Sequence, residues 1–399
     1  MGKRRNFFCI LIFSLILALS LSGTLFGAEE KEFWELCKEG TREEIYQAIK
    51  DGADVNKGDQ NKVTPLMYAA RYNPDPEVSM LLVRNGAYIN AQDKNGETAL
   101  FYALGNSNRT VLHILLTVGA NVNVINNKGQ NALFKTIERE DEDAARILLR
   151  AGINVNLSDN KGWTPLMYAV QKDNSRLVRY LINNGATINK RNRQGQTALM
   201  LAFKERSSLS IIRVLLDNHA DLLNKDEDGM TTLMFAARYY KNPEGITLLL
   251  EKGAVLNAVD KLGRNALLHA LEGNNSPAVI NKLLVSRIDV NHQDLQGRTA
   301  LIYAIVHNNE LQIINSLLDA GVNVHLRERY KGITPLMYAA RGSKDPAVLQ
   351  LLLEAGADPI ARDYQGKRVV DYLNENNYLK GTPIYCRLHC QDQNTPGTP

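Results

Sequence analysis

The sequence predicts an all-α repeat solenoid, and three observations carry that expectation. A seven-residue motif recurs nine times, a glycine recurs in a second register behind a leucine-rich stretch, and a polar turn pattern separates the copies. The motif reads TPLMYAA at Thr64, TALFYAL at Thr98, NALFKTI at Asn131, TPLMYAV at Thr164 and TALMLAF at Thr197. It continues as TTLMFAA at Thr231, NALLHAL at Asn265, TALIYAI at Thr299 and TPLMYAA at Thr334. The motif leucines fall at 66, 100, 133, 166, 199, 233, 267, 301 and 336, a spacing of 33 to 35 residues that chance does not keep over nine copies.

Each unit can be justified element by element. Thr is a good N-cap and Pro suits the first helical position, so Thr64-Pro65 and Thr334-Pro335 open a short first helix. Alanines such as Ala69, Ala103, Ala169, Ala202 and Ala236 let neighbouring helices approach closely. A second helix then carries pairs such as Leu115-Leu116, Leu148-Leu149 and Leu317-Leu318. Gly52, Gly86, Gly119, Gly152, Gly185, Gly253, Gly321 and Gly356 end it, since glycine takes the left-handed conformation after a helix at no steric cost. The chain then runs through Ala-x-Val-Asn to Asp-x-x-Gly, as at Asp93 to Gly96, whose turn residues suit a projecting hairpin.

A helix-turn-helix unit that opens with T-P-L, closes with G-A-x-V-N and is linked by D-x-x-G resembles the ankyrin repeat, whose period is about 33. The resemblance covers roughly residues 30 to 380. It implies stacked helix pairs with β-hairpin loops, each unit burying its apolar face only against its neighbours. The family usually places His after Thr-Pro-Leu, where it helps tie adjacent hairpins. This chain has Met67, Phe101, Phe134, Met167, Met200, Met234, Leu268, Ile302 and Met337 there, which predicts apolar packing in place of a polar network. His219 and Arg287 occupy the glycine phase, where a left-handed backbone costs about 1–2 kcal/mol, so irregular stacking is expected at those joints. Lys62 replaces the first hairpin glycine, and Arg329 replaces the hairpin aspartate before the ninth unit.

The ends depart from the repeat. Residues 29–62 read as a degenerate cap, a helix pair between Glu32 and Asp51 with Phe33, Trp34, Leu36, Ile45 and Ile49 as its apolar face. Nine units follow over 63–360. Residues 361–380, from Lys367-Arg368-Val369-Val370 on, form a second degenerate cap, and the tail 381–399 is expected to be disordered. Polar outer faces on terminal units keep such arrays soluble.

Residues 1–28 are of another kind. Lys3, Arg4 and Arg5 precede an uncharged run from Phe7 to Ala28, the basic and apolar regions of an export signal. The run is either cleaved, although no A-x-A-like site is present, or kept as a membrane anchor, since 22 residues span a bilayer. Either way the repeats are expected outside the cytoplasm: periplasmic, secreted, or anchored at the inner membrane of a bacterial-type cell. Without those three cations the chain holds 44 basic and 43 acidic residues, a balance that argues against a nucleic-acid partner.

No catalytic or cofactor constellation emerges. His113, His219, His269, His292, His307 and His325 lie in different units, and no H-E-x-x-H, G-x-S-x-G or phosphate-cradling glycine run is present. Cys386, His389 and Cys390 offer three soft metal ligands without a clear fourth, so a disulfide or two free thiols is the stronger reading, and Cys37 reads as a buried thiol of the N-terminal cap.

The family resemblance implies a protein-binding scaffold that uses the concave side made by hairpin tips and first helices. The residue after the hairpin glycine varies from unit to unit, as Glu97, Gln130, Trp163, Gln196, Met230, Arg264, Arg298, Ile333 and Lys367. Aromatic and arginine side chains dominate interface energies, so the candidates for partner contact are Arg71, Tyr72, Trp163, Lys172, Arg238, Tyr239, Tyr240, Arg264, Arg298, Tyr330 and Tyr364. A structural spacer without a partner, or an enzyme whose site no motif reveals, are the alternatives.

Overall fold

A computed structural model describes residues 32–274, 276–307 and 310–393, so the export-signal reading of residues 1–28 lies outside the described residues. Among them are 22 α-helices, one π-helical turn at Ala270–Asn274 and no strand; the expected hairpins are tight loops whose one bridge pairs Lys225 with Thr231. The described helices comprise none long and apolar enough to cross a membrane. The fold divides into two compact units, Met1–Asn127 with Arg146–Gly152, and Lys128–Ala145 with Ile153–Pro399.

In both units short first helices alternate with second helices. Pro65–Tyr72 and Pro76–Arg84 form such a pair in the first unit, and Pro165–Gln171 and Ser175–Asn183 in the second. The Thr64 hydroxyl accepts from the Met67 N–H at 3.4 Å, and Thr197 caps Met200 and Thr334 caps Met337 in the same way at 3.3 Å. Asn265 does the same work for Leu268 at 3.1 Å. The column that opens with Met67 is core throughout, no member being more than 2% exposed.

Buried asparagines tie consecutive helix pairs together. Asn73 Nδ2 donates to the Cys37 and Gly40 carbonyls at 3.1 and 3.0 Å, and Asn106 donates to Ala70 and Asn73 at the same two distances. Asn274 and Asn376 repeat the pattern in the second unit. A second set of asparagines serves the joints behind the second helices: Asn56 donates to the Gly86 carbonyl and accepts from the Tyr88 N–H, as Asn156 does with Gly185 and Thr187.

His219 and Arg287 do adopt the left-handed backbone, at φ 64° and 63°, as does Lys62 at 63°. The stacking there is nevertheless regular. Asn189 still reaches the His219 carbonyl at 3.1 Å, and Asn257 still accepts from the Asp289 N–H at 3.0 Å. At His219 the cost of a side chain in that conformation is local, because the joint bond uses only its backbone carbonyl; at Arg287 the joint is made through the Asp289 N–H. The irregularity falls instead at the π turn, Ala270–Asn274.

Both ends are helical. Phe33–Glu39 and Arg42–Lys50 pair at the start, burying Ile45 and Cys37, whose thiol burial pushes up to about 12. Trp34, read as part of that apolar face, lies half-buried and stacks on Tyr68 instead. The tail expected to be disordered opens with the helix Pro383–Gln393, which buries Ile384 and Leu388. Those two apolar residues lie four apart and so share one helix face.

Replacing Asn106 by Ala would strand two buried carbonyls, at a cost of about 2–4 kcal/mol in urea unfolding. Asn85→Ala, which removes an exposed bond to Leu81, should change stability by less than about 0.5 kcal/mol. Equal effects of the two would contradict the role given to the buried asparagines.

Candidate interaction surface

Most loops between units are built around one carboxylate, buried in every case but the half-buried Asp59. Asp93 Oδ1 accepts from the N–H groups of Asn95 and Glu97, both at 2.8 Å, folding the loop back on itself. Asp59, Asp159, Asp226, Asp260, Asp294 and Asp363 use Oδ1 in the same way, and the neutral Asn192 does too. Oδ2 then takes a proton donor nine residues on. Tyr68, Tyr102, Tyr168 and Tyr303 donate their hydroxyls to Asp59, Asp93, Asp159 and Asp294 at 2.8–3.0 Å, and Tyr372 donates to Asp363. Burial, then the aspartate bond, raises the Tyr68 hydroxyl to about 12.

The apolar packing expected from the missing histidines is present, but it does not take the place of a polar network, which persists beside it. That network has moved one residue along the first helix, from the position of Met67 to that of Tyr68. The signal was present as an aspartate followed nine residues later by tyrosine. Exceptions keep the same logic. Asn192, which carries no charge, is followed nine residues on by the apolar Leu201. Asp226 is followed nine residues on by Phe235, and burial holds its carboxyl above the usual range despite bonds from Met230 and Asp228.

Nor does Arg329 take the aspartate's place: Glu328 does. Its carboxylate accepts from the N–H groups of Tyr330 and Lys331. This loop has one residue more, so Gly332 N–H reaches back four residues to the Glu328 carbonyl, where Gly297 reaches three to Asp294. The longer side chain matches the longer loop.

The loop of Asp260 is the most elaborate. His269 stands at the tyrosine position, wholly buried, with Nε2 3.0 Å from Asp260 Oδ2 and Nδ1 3.3 Å from an Arg238 nitrogen. Arg238 can only donate, so the ring is neutral, its proton on Nε2. Burial holds the His269 pKa below the ordinary histidine value, ahead of the upward pull of its Asp260 bond. Burial acts to raise Asp260, but the His269 and Arg264 bonds outweigh it and keep the carboxyl well below its usual range. Glu272, on the π turn, pairs with both Arg238 and Arg264. Both His269 nitrogens are occupied and no solvent reaches the ring, so His269 itself has no face to offer a substrate.

This geometry sorts the sequence candidates. The residue after the loop glycine folds back under the aspartate and is largely an inward column. Arg264 binds Asp260 at 2.8 Å and Glu272 at 2.9 Å, leaving its side chain 13% exposed; Arg298 binds Asp294 at 2.9 Å and the Tyr303 hydroxyl at 3.0 Å. Trp163 is half-buried with its ring 5.2 Å from that of Tyr168. Tyr240, expected on the surface, is core: 8% exposed, its ring edge-on to Phe203 at 5.4 Å, packed over Gly245. Arg238 is committed to Glu272 and His269, and Tyr239 is half-buried against Phe235. Lys172 is exposed at a helix end.

Two groups remain presented to solvent. In the first unit, Trp34, Tyr68 and Tyr72 stack in series, with Lys38 about 5 Å above the first two rings and Arg71 over the third. In the second unit, Tyr330 and Tyr364 project from adjacent loops. The loop tips, one and two residues after the aspartate, are thus the outward column that the sequence pattern did not separate from the inward one.

The tail cysteines are exposed and unpaired, and His389 turns both ring nitrogens to Tyr385 and Asn374 at 2.9 Å. Among the described residues no three His, Cys, Asp or Glu side chains converge as a metal site would require.

Comparison with known proteins agrees with the loop and helix pattern. The family model described as Ankyrin repeats (3 copies) matches residues 33–126, 105–192, 185–260, 233–328 and 267–363. A Fowlpox virus (strain NVSL) protein named as an ankyrin repeat protein is 42% identical over 71 residues, which is 17% of this chain and 20% of the relative. The match spans about a fifth of that relative's length, and a viral relative lends no support to the bacterial-type source expected from the first 28 residues.

Because the folded His269 pKa lies below its unfolded value, the folded chain holds fewer protons in that window. Stability is therefore full above pH ~6.5 and falls as pH drops below it. His269→Tyr, which installs the side chain used in five other loops, should lose less melting temperature than the parent between pH 7.5 and 5.5. An equal loss in both proteins would remove His269 as the source.

Proposed function

The chain belongs to the ankyrin-repeat family, whose members are generally protein-interaction modules without catalytic activity, and on that premise we propose that it is a non-enzymatic scaffold binding a protein partner through its loop tips and first helices. In the family this is the concave side. One observation carries the reading: the loops spend their turn-forming acids internally and present exposed aromatic and basic side chains from a hydrogen-bonded frame. Each loop donates one backbone N–H to the loop before it, as Lys94 to Asn61, Asn160 to Lys128 and Tyr364 to Lys331, at 2.8–2.9 Å. A frame of this kind holds contact groups in place before a partner arrives, which lowers the ordering cost of binding.

We further propose that the scaffold acts outside the cytoplasm, either released or held at the membrane by residues 1–28. The support is the sequence of that segment, with Lys3, Arg4 and Arg5 ahead of the uncharged run from Phe7 to Ala28.

A photo-cross-linking residue at Tyr330 should capture a protein partner in producing cells, whereas the same residue at Val285, exposed on a second helix, should not. Tyr330→Ala with Tyr364→Ala should weaken the captured association about 30-fold or more, as loss of aromatic anchors does. Capture from Val285 alone, or tyrosine substitutions without effect, would overturn the tip-face reading. For location, protease added to cells whose outer envelope is opened but whose inner membrane is intact should digest the repeats of the intact chain and spare a chain lacking residues 1–28. Protection of both would refute export.

A further inference from the structure

We propose that four consecutive loop tips of the second unit, from Lys261 to Tyr364, form a docking strip for an extended acidic protein segment that also carries apolar side chains. The proposal rests on the binding role above and names the chemistry of the partner.

Each of the four tips exposes an apolar side chain: Leu262 at 44%, Leu295 at 48%, Tyr330 at 69% and Tyr364 at 66%. These are fixed rather than free. Leu295 N–H donates to Leu262 at 3.0 Å, Arg329 N–H to Gln296 at 2.7 Å and Tyr364 N–H to Lys331 at 2.8 Å, so the tips are laced edge to edge. Two of the side chains lie against the glycine of the preceding tip. A Cβ on Gly332 would come within 2.6 Å of the Tyr364 ring, and one on Gly263 within 3.2 Å of Leu295 Cγ. Tyr364 is thus an aromatic anchor already held in place.

The charge on the strip has one sign. The acids at the turns of these tips are Asp260, Asp294, Glu328 and Asp363, all buried, with their oxygens taken by backbone N–H groups and by His269, Tyr303 or Tyr372, whereas the exposed Asp289 and Asp358 stand at the loop bases four or more residues before a tip. The cations beside them face outward. Lys261, Arg329 and Lys331 are exposed and make no ion pair among the described residues. Arg327 and Arg362 are exposed as well, their guanidinium groups resting on the carbonyls of Arg362 and Gly366.

The strip has an end. The preceding tip exposes Glu227 and Asp228, which would repel a polyanion continuing along the row. Leu262 and Leu295 have no flat face on which a base could stack. Both features favour an acidic peptide over a nucleic acid. Neighbouring tips follow the helix spacing of about 10 Å, and an extended chain advances about 3.3 Å per residue. The fitting segment is therefore about ten residues long and takes the polyproline-II form of an extended chain, whose three residues per turn of about 3.1 Å each return a side chain to the same face, and so to the next tip, at every third position.

The test uses the full chain and fluorescein-labelled probes. A peptide of three Leu-Glu-Glu triplets should bind, and its lysine counterpart (Leu-Lys-Lys) and a ten-residue oligothymidylate should not. Arg329→Glu with Lys331→Glu should weaken the acidic peptide at least tenfold, as should Tyr364→Ala, while Arg176→Glu on a second helix leaves it unchanged. Circular dichroism checks that each variant folds. No binding of the acidic peptide, tighter binding of the oligonucleotide, or equal weakening by Arg176→Glu would overturn the proposal. If the peptide fails while a cross-linker at Tyr330 still captures a protein, only the acidic chemistry falls; if both fail, so does the binding role.

Discussion

The structure depends on a carboxylate held inside the turn of most interunit loops. Ionised carboxylates are costly to bury unless their oxygens are satisfied by several donors, and here each oxygen has a separate task. Oδ1 collects two backbone N–H groups and sets the loop's turn. Oδ2 takes a hydroxyl or imidazole proton from the first helix nine residues on and fixes that loop to its own unit. With the turn set, the next backbone N–H points at the preceding loop, so intraloop electrostatics determine how the edges of neighbouring units register.

The chain contains its own substitution series for this arrangement. Tyrosine serves as donor at Tyr68, Tyr102, Tyr168, Tyr303 and Tyr372. Where the donor is lost at Leu201, the acceptor is the neutral Asn192, and no buried charge is left unanswered. At Asp226 the donor is lost to Phe235 but the charge is kept, and burial raises that carboxyl. At Asp260 the donor is His269, whose second nitrogen needs a donor of its own; Arg238 supplies it and brings Glu272 with it. That chain of requirements ends on the π turn, whose extra residue in the helical turn places Glu272 between two arginines.

Much of the fold was legible because a repeat displays each constraint many times. The helix pairs, the capping threonines and the left-handed residues at Lys62, His219 and Arg287 follow from phase alone. What the sequence did not separate were two adjacent columns in the loops. The residue after the glycine varies freely, which reads as surface, yet Met230 and Ile333 are buried there and Arg264 is turned inward. That position tolerates variety because it lies beneath the aspartate at the edge of the core, where an apolar side chain packs and an arginine pairs. Tyr240 was misplaced for a related reason. It follows a first helix as other exposed residues do, but Gly245 opens a space in the next helix that its ring fills. The tail helix was missed because a single apolar pair, Ile384 and Leu388, gives little periodicity to read.

The same inward use of acids changes how the charge of the chain should be weighed. The near-equal count of acidic and basic residues is an average over groups that face opposite ways. In every loop that keeps an acid at its turn, that acid is consumed by the turn it forms, while lysines and arginines at the tip keep their heads in water because their long stems allow it. A loop that looks neutral on paper is therefore basic to an approaching partner. Where two acids are placed at a tip, as at Glu227 and Asp228, they do not serve the turn: Glu227 pairs with Arg191, and Asp228 stays exposed at the boundary. The binding chemistry of the array thus follows from how each loop is folded and not from its composition.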